Sequence, residues 1–342
     1  MDSFVATQPD PVTNITISPV DRIRNLLEEI ELADQVGLDV VGIGEHHRAE
    51  FLDAAPAVLL AAAAARTKRI RLTSAVTVLS ADDPVRVFQD FATVDLISQG
   101  RAEIVAGRGS FVDAYPLFGL DLADYDSLFV EKLELLLKIR DNAVVTWSGQ
   151  HRPALNRQEI HPRPVQSPLP VWVGVGGTPE SFARAGALGL PLMVAIIGGV
   201  PHHFRPLIDL YREAGRQAGH APEKLKVGVH ALGYVAETSE QAGNDYFPGY
   251  ARMFTAIGQE RGWPPTTRAQ FEAVRTPKGA LIVSDAPTAV EKILYINEAL
   301  GGISRLTFQM SPGTLPQEKA LAAIRLIGTQ VIPAVRKALG KG

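Results

Sequence analysis

Glu45, His46 and His47 are the residues of this sequence best placed, by type and by spacing, to move a proton. They follow Asp39-Val40-Val41-Gly42-Ile43 through Gly44, and that short apolar run predicts a buried parallel strand. A carboxylate and two imidazoles therefore stand where a strand gives way to a loop, the place where α/β folds hold ligands. Histidine exchanges protons near neutral pH, so the tetrad predicts either a reaction centre or a structural hydrogen-bond cluster. As a metal site it is poor. Three adjacent residues of an extended segment do not all point one way, and no His-x-x-x-His spacing or fixed carboxylate completes a ligand set.

Two glycine-rich segments carry a different chemistry. Gly107-Arg108-Gly109 follows the strand-like Glu103–Ala106, so backbone can approach a ligand closely while a permanent positive charge faces it. A phosphate or another anion suits that pattern, and a tight turn whose arginine pairs with a surface carboxylate suits it equally. Gly174-Val175-Gly176-Gly177-Thr178-Pro179-Glu180-Ser181 closes a strand and opens a helix, with Thr178 at the N-cap and Pro179 at the first helical position. Free amides, the positive helix end and the hydroxyls of Thr178 and Ser181 predict an anion site. The spacing is neither Gly-x-Gly-x-x-Gly nor a P-loop. Thr73–Ser80 ends another strand in small and β-branched residues, which leaves room for a flat ligand or simply packs helices outside. His202 and His203 read as surface residues, and His151 and His161 as the rim of a pocket.

The elements that must position these groups alternate, strand then helix, almost from end to end, which predicts βα units around a parallel sheet. Strand-like runs fall at Asp39–Ile43, Ile70–Val78, Ala102–Ala106, Val171–Val175, Leu192–Ile197, Lys226–Ala236 and Ile303–Gln309, with a stub at Ser3–Ala6. Eight strands would close a (β/α)8 barrel; an open doubly wound sheet is the alternative. The stretches 142–170 and 246–278, rich in proline, predict insertions on the loop face of a single domain, 1–342. The 342 residues are 46% hydrophobic and 21% charged, ordinary for a large soluble core, and a net charge of −3 excludes a nucleic-acid or anionic-membrane partner. The sequence has no cysteine, so disulfides and thiol chemistry are excluded. Met1–Val20 lacks the basic start and apolar core of a signal peptide, and the longest apolar run, Ala54–Ala65, is too short to span a bilayer. A cytoplasmic location is expected.

Taken together, Glu45-His46-His47, Thr73–Pro84, Ser98-Gln99-Gly100-Arg101 running into Gly107-Arg108-Gly109, and Val173–Pro191 resemble the bacterial luciferase-like flavin-dependent monooxygenases, luciferase and alkanesulfonate monooxygenase among them. The resemblance covers most of Leu26–Met310. It implies a TIM barrel with reduced FMN at its carboxyl mouth, the phosphate meeting Arg108, the amides of Gly176 and Gly177, and the hydroxyls of Thr178 and Ser181. It also implies a cis peptide at Ala75–Val76 against the flavin ring. His46 matches the luciferase reactive-site histidine, with Glu45 before it. Luciferase has a cysteine where this chain has Gly107, and the first strand is curtailed here.

The implied reaction is a two-component monooxygenation: a separate NAD(P)H:flavin reductase delivers reduced FMN, which reacts with O2 to give a C4a-(hydro)peroxyflavin that oxidises a small organic substrate. His46 would be the general acid/base, with Glu45 orienting it or holding the mouth. Relatives on this barrel also use the deazaflavin F420 for hydride transfer, and a non-catalytic flavin-binding protein is a third expectation. Homodimers or higher homo-oligomers are expected.

Overall fold

The computed structural model describes residues 1–3, 5–10, 13–260, 262–310 and 315–340. Eight parallel strands close on themselves: β1 Asp2–Ser3, β2 Val40–Ile43, β3 Arg71–Ser74, β4 Ala102–Gly107, β5 Val171–Val175, β6 Leu192–Ala195, β7 Val227–Val235 and β8 Arg305–Gln309. Each pairs with the next, and β8 returns to β1 through Asp2 and Gln309. The ring is the expected barrel, and closure rules out the open sheet. The strands are buried because apolar side chains fill both faces: Val41, Ile43, Leu72, Ile104, Val173 and Val229 are at most 3% exposed. Helices cover the outside. Pro84–Ser98, capped by Asp83, ends at Gln99 in the left-handed conformation, and Pro56–Arg66 packs beside it.

The first strand is the shortest, as its stub of sequence suggested. Only Asp2 and Ser3 pair in the barrel, while Ala6 bridges antiparallel to Phe51; Phe4, inside the expected stub, lies outside the described residues. The two expected insertions are more structured than loops. In 142–170 an antiparallel hairpin pairs Val144–Trp147 with Leu155–Glu159, and the peptides before Pro162 and Pro168 are cis. The second stretch begins inside a helix, Ser239–Glu260, which carries Pro248 in its interior, and it contains a second helix, Arg268–Arg275. Ile282–Ser284 adds a further parallel strand beside the far end of β7. None of the helices among the described residues is long and apolar enough to cross a membrane.

Candidate active site

The carboxyl ends of the strands open onto a cavity of about 580 Å³. Glu45, His46, Arg108, Gly176, Gly177 and Thr178 all line it, so the segments singled out by their residue types converge on one space. Phe111 and Phe254 line it too; Tyr115 is buried in the core, and Phe118 and Trp263 are half exposed.

His46 leaves β2 and turns its ring under the mouth. Its Nδ1 is 3.0 Å from Oδ1 of Asp53, which is fully buried, and the other Asp53 oxygen accepts the Val5 N–H at 3.1 Å. The imidazole stacks on Phe51, with centroids 4.3 Å apart, and meets Phe111 edge-on at 5.6 Å. A carboxylate only accepts, so Asp53 holds a proton on His46 Nδ1 and fixes the orientation of the ring. Asp53, seven residues downstream, carried no sequence signal.

Glu45 is engaged elsewhere. One oxygen is 3.0 Å from His47 Nε2 and the other accepts the Val78 N–H at 2.8 Å. The orienting partner of His46 is thus Asp53 and not Glu45, whose bonds tie the β2 loop to the segment after β3. The hydrogen bond that His47 donates to Glu45 raises the basicity of His47 above its ordinary value, against the opposing effect of burial. Behind this pair, burial and then the charge of Glu45 push the Asp82 carboxyl up to about 7, while Lys132 and His47 pull it down. Lys132 donates to the Ser80 carbonyl at 2.6 Å.

The opposite wall carries the residues expected to bind an anion. Arg108 donates to Ser181 Oγ at 3.2 Å, pairs with Asp126 and lies 4.8 Å over the Tyr125 ring. Gly176 and Gly177 face open space where a side chain would project, so their backbone is accessible. Thr178 does stand at the N-cap of Pro179–Ala187, but its hydroxyl makes no capping bond. The feature suits an anion: the amides at this helix start are not consumed by a side chain.

Between the two walls the Ala75–Val76 peptide is cis. Three glycines make room for it. A Cβ on Gly107 would lie 2.6 Å from Val76 Cγ2, one on Gly174 2.8 Å from Val76 Cγ1, and one on Gly42 2.8 Å from Ala75 Cβ. Glycines inside strands mark such close approaches, a signal visible in the sequence of β2, β4 and β5 but not used there. Asp2, His230 and Gln309 also line the cavity and carried no motif. His151, His161, His202 and His203 do not line it; His151 meets Ser127, and His202 meets Tyr295.

A closed parallel barrel with acid–base and anion-binding groups gathered at its carboxyl mouth belongs to the α/β-barrel class of enzyme scaffolds. Within that class the chain belongs to the luciferase-like monooxygenase family, whose model matches residues 1–301. It is 27% identical to 4-hydroxyprotoasukamycin monooxygenase of Streptomyces nodosus subsp. asukaensis, over 82% of this chain and 78% of that one. It is 30% identical to the F420-dependent glucose-6-phosphate dehydrogenase of Amycolatopsis mediterranei, over 87% of this chain and 95% of the relative. Among solved structures, the oxygenating constituent of 3,6-diketocamphane monooxygenase from Pseudomonas putida, in complex with FMN, superposes with a TM-score of 0.77 at 20% identity, covering 93% of this chain and 94% of that one. Its relatives are thus monooxygenases and other oxidoreductases.

Proposed function

We propose that this protein is a monooxygenase that takes reduced FMN from a separate NAD(P)H:flavin reductase and transfers one atom of O2 to a small organic substrate. The observation that carries this reading is the convergence of His46, held by Asp53, and of Arg108, Gly176, Gly177 and Thr178 on one cavity of about 580 Å³, with Ser181 behind Arg108 and outside the lining. The residues present fit the cofactor. Arg108, the amides of Gly176 and Gly177 and the hydroxyls of Thr178 and Ser181 would hold its phosphate, and Ala75–Val76 would back its ring. When bound, reduced FMN would supply the two electrons with which O2 is split between product and water.

His46 would act as the general acid/base while Asp53 keeps the ring in register. Glu45 and His47 brace the mouth, and the aromatic faces of Phe51 and Phe111 keep bulk water from His46. Oxygen consumption with reduced FMN, across a panel of small organic substrates, tests the reading. Coupled turnover is expected in the native protein and its loss in His46→Ala; equal turnover in both would remove His46 from the chemistry.

A second reading, F420-dependent hydride transfer, draws on the 30% identity to an F420-dependent dehydrogenase. Titration with FMN and with F420, followed by visible absorbance, separates the two. Saturable binding of F420 and not of FMN would replace the first reading with the second.

A further inference from the structure

The floor of the cavity holds a second imidazole–carboxylate pair, built from strands that contribute nothing to the first. His230 on β7 has Nδ1 2.5 Å from Oδ2 of Asp2 on β1, and its Nε2 is 3.1 Å from Oε1 of Gln309 on β8. Thr307 donates its hydroxyl to the same Asp2 oxygen at 2.5 Å. Burial pushes the Asp2 carboxyl up, but the hydrogen bond and charge of His230 outweigh it and hold the group below its ordinary range. Both ring nitrogens of His230 face acceptor oxygens, so both carry hydrogen, and Asp2 is a buried anion facing an imidazolium.

Two polar atoms of this cluster are unmet. Asp2 Oδ1 and Gln309 Nε2 are buried and have no hydrogen-bond partner among the described residues, and the two residues are only 3% and 1% exposed. Both residues line the cavity, as does His230. Buried polar groups are nearly always satisfied, and leaving one unmet is costly. The His230 Nε2–H occupies the Gln309 carbonyl oxygen, so the amide keeps its N–H donors for another partner, and Asp2, the register partner of Gln309 across β1 and β8, offers an acceptor. One kind of group answers both demands: an oxygen that accepts from the amide, and that, as a hydroxyl, can donate to the carboxylate.

We propose that Gln309 and Asp2, set by His230, bind an oxygen of the substrate, so that the enzyme selects carbonyl- or hydroxyl-bearing molecules over hydrocarbons of the same shape. The place of this floor in the barrel supports a substrate subsite. In the ring of eight strands β1 and β8 lie across from β5 and β4, which carry the phosphate-binding groups, so the two polar ends of the cavity are opposed. Calling the ligand a substrate rests on the monooxygenase reading; the geometry of the floor does not.

Matched pairs of probes test it: cyclohexanone against methylenecyclohexane, and 4-ethylphenol against 4-ethyltoluene. Affinity is measured by thermal shift on the native protein, Gln309→Met and Asp2→Asn, each with and without FMN. The native protein is expected to prefer the oxygenated member by roughly tenfold, the worth of one buried hydrogen bond. Gln309→Met should erase that preference and leave the FMN dissociation constant unchanged. Asp2→Asn, the milder change, should reduce it and keeps the test open should Gln309→Met fail to fold. Equal affinity for both members of each pair in the native protein would overturn the proposal, leaving the floor to ordered water. A preference that survives both variants would overturn it too, as would a variant that weakens FMN and spares the preference, since the floor would then serve the flavin. Failure of the native protein to bind FMN, with the preference intact in its absence, would fell the monooxygenase reading and not this one.

Discussion

Nδ1 of His46 lies 3.0 Å from Oδ1 of Asp53, and both side chains are buried beneath the barrel mouth. The pair holds a proton on His46 Nδ1 and fixes the ring in one orientation. General acid–base groups contribute about 10²–10⁴ in rate, so His46→Asn should cut substrate turnover by that order while FMN affinity, set by the opposite wall, stays near native. Asp53→Asn should cost less, roughly tenfold to a hundredfold, the worth of one charge-assisted hydrogen bond. Steady-state oxygen uptake together with an FMN titration checks both. Native turnover in Asp53→Asn would show that the ring needs no such partner.

Arg108 is paired with Asp126 and Ser181, and only its phosphate role predicts that the loss depends on the ligand. In Arg108→Met, FMN should bind roughly tenfold to a hundredfold more weakly, since one hydrogen bond to a charged group is worth about 1.5–3 kcal/mol. Riboflavin, which has the ring and no phosphate, should be little affected. Fluorescence titrations with the two flavins decide it. A parallel loss for both would mean that Arg108 supports the ring or the fold.

How much of this was legible beforehand depended on whether the signal was local. The barrel strands could be read because burial on both faces demands continuous apolar runs, as in Val171–Val175 and Leu192–Ala195. His46, Arg108 and the Gly176–Ser181 turn could be read because strand ends are where such folds bind ligands. The helix Ser239–Glu260 was hidden by Pro248, which normally ends a helix. Its stripe of Tyr246, Tyr250, Met253, Phe254 and Ile257 nonetheless keeps the helical period. Asp53 and Asp2 could not be read at all. Their partners, His46 and His230, are chosen by tertiary closure, and Asp2 and His230 stand 228 residues apart.

The glycines around Val76 separate packing from ligand binding. Gly107→Ala or Gly174→Ala would place a methyl group 2.6 or 2.8 Å from the Val76 side chain, between neighbouring strands that cannot readily part. Overpacking of this kind costs about 1–3 kcal/mol, so urea midpoints should fall. Gly176→Ala meets nothing within 4 Å and should leave stability near native while weakening FMN, if the phosphate binds at that backbone as proposed. A fall in stability for Gly176→Ala matching that of the other two would contradict the assignment of open space there.

Asp82 gives the pH dependence of stability a sign. Burial, then Glu45, raises its carboxyl from an ordinary 3.8 to about 7, with Asp90 adding to the rise and Lys132 and His47 opposing it. In the unfolded chain the proton leaves near the ordinary value; in the folded chain it stays on until about pH 7. Between those limits the folded state binds more protons, so stability falls as pH rises. His47 works in the same direction. Its raised basicity adds stability that is complete below its ordinary 6.5 and is lost as pH climbs through the raised value. Asp82→Asn removes the first contribution and, of the second, only the lesser part that the Asp82 charge supplies, since the hydrogen bond to Glu45 that mainly raises His47 stays. In urea titrations across this range, the advantage of Asp82→Asn over the native protein should grow from about pH 4 to about pH 7 and then level off. A difference independent of pH would mean that Asp82 ionises in the folded protein as it does in the unfolded chain, with Lys132 offsetting both its burial and the charge of Glu45.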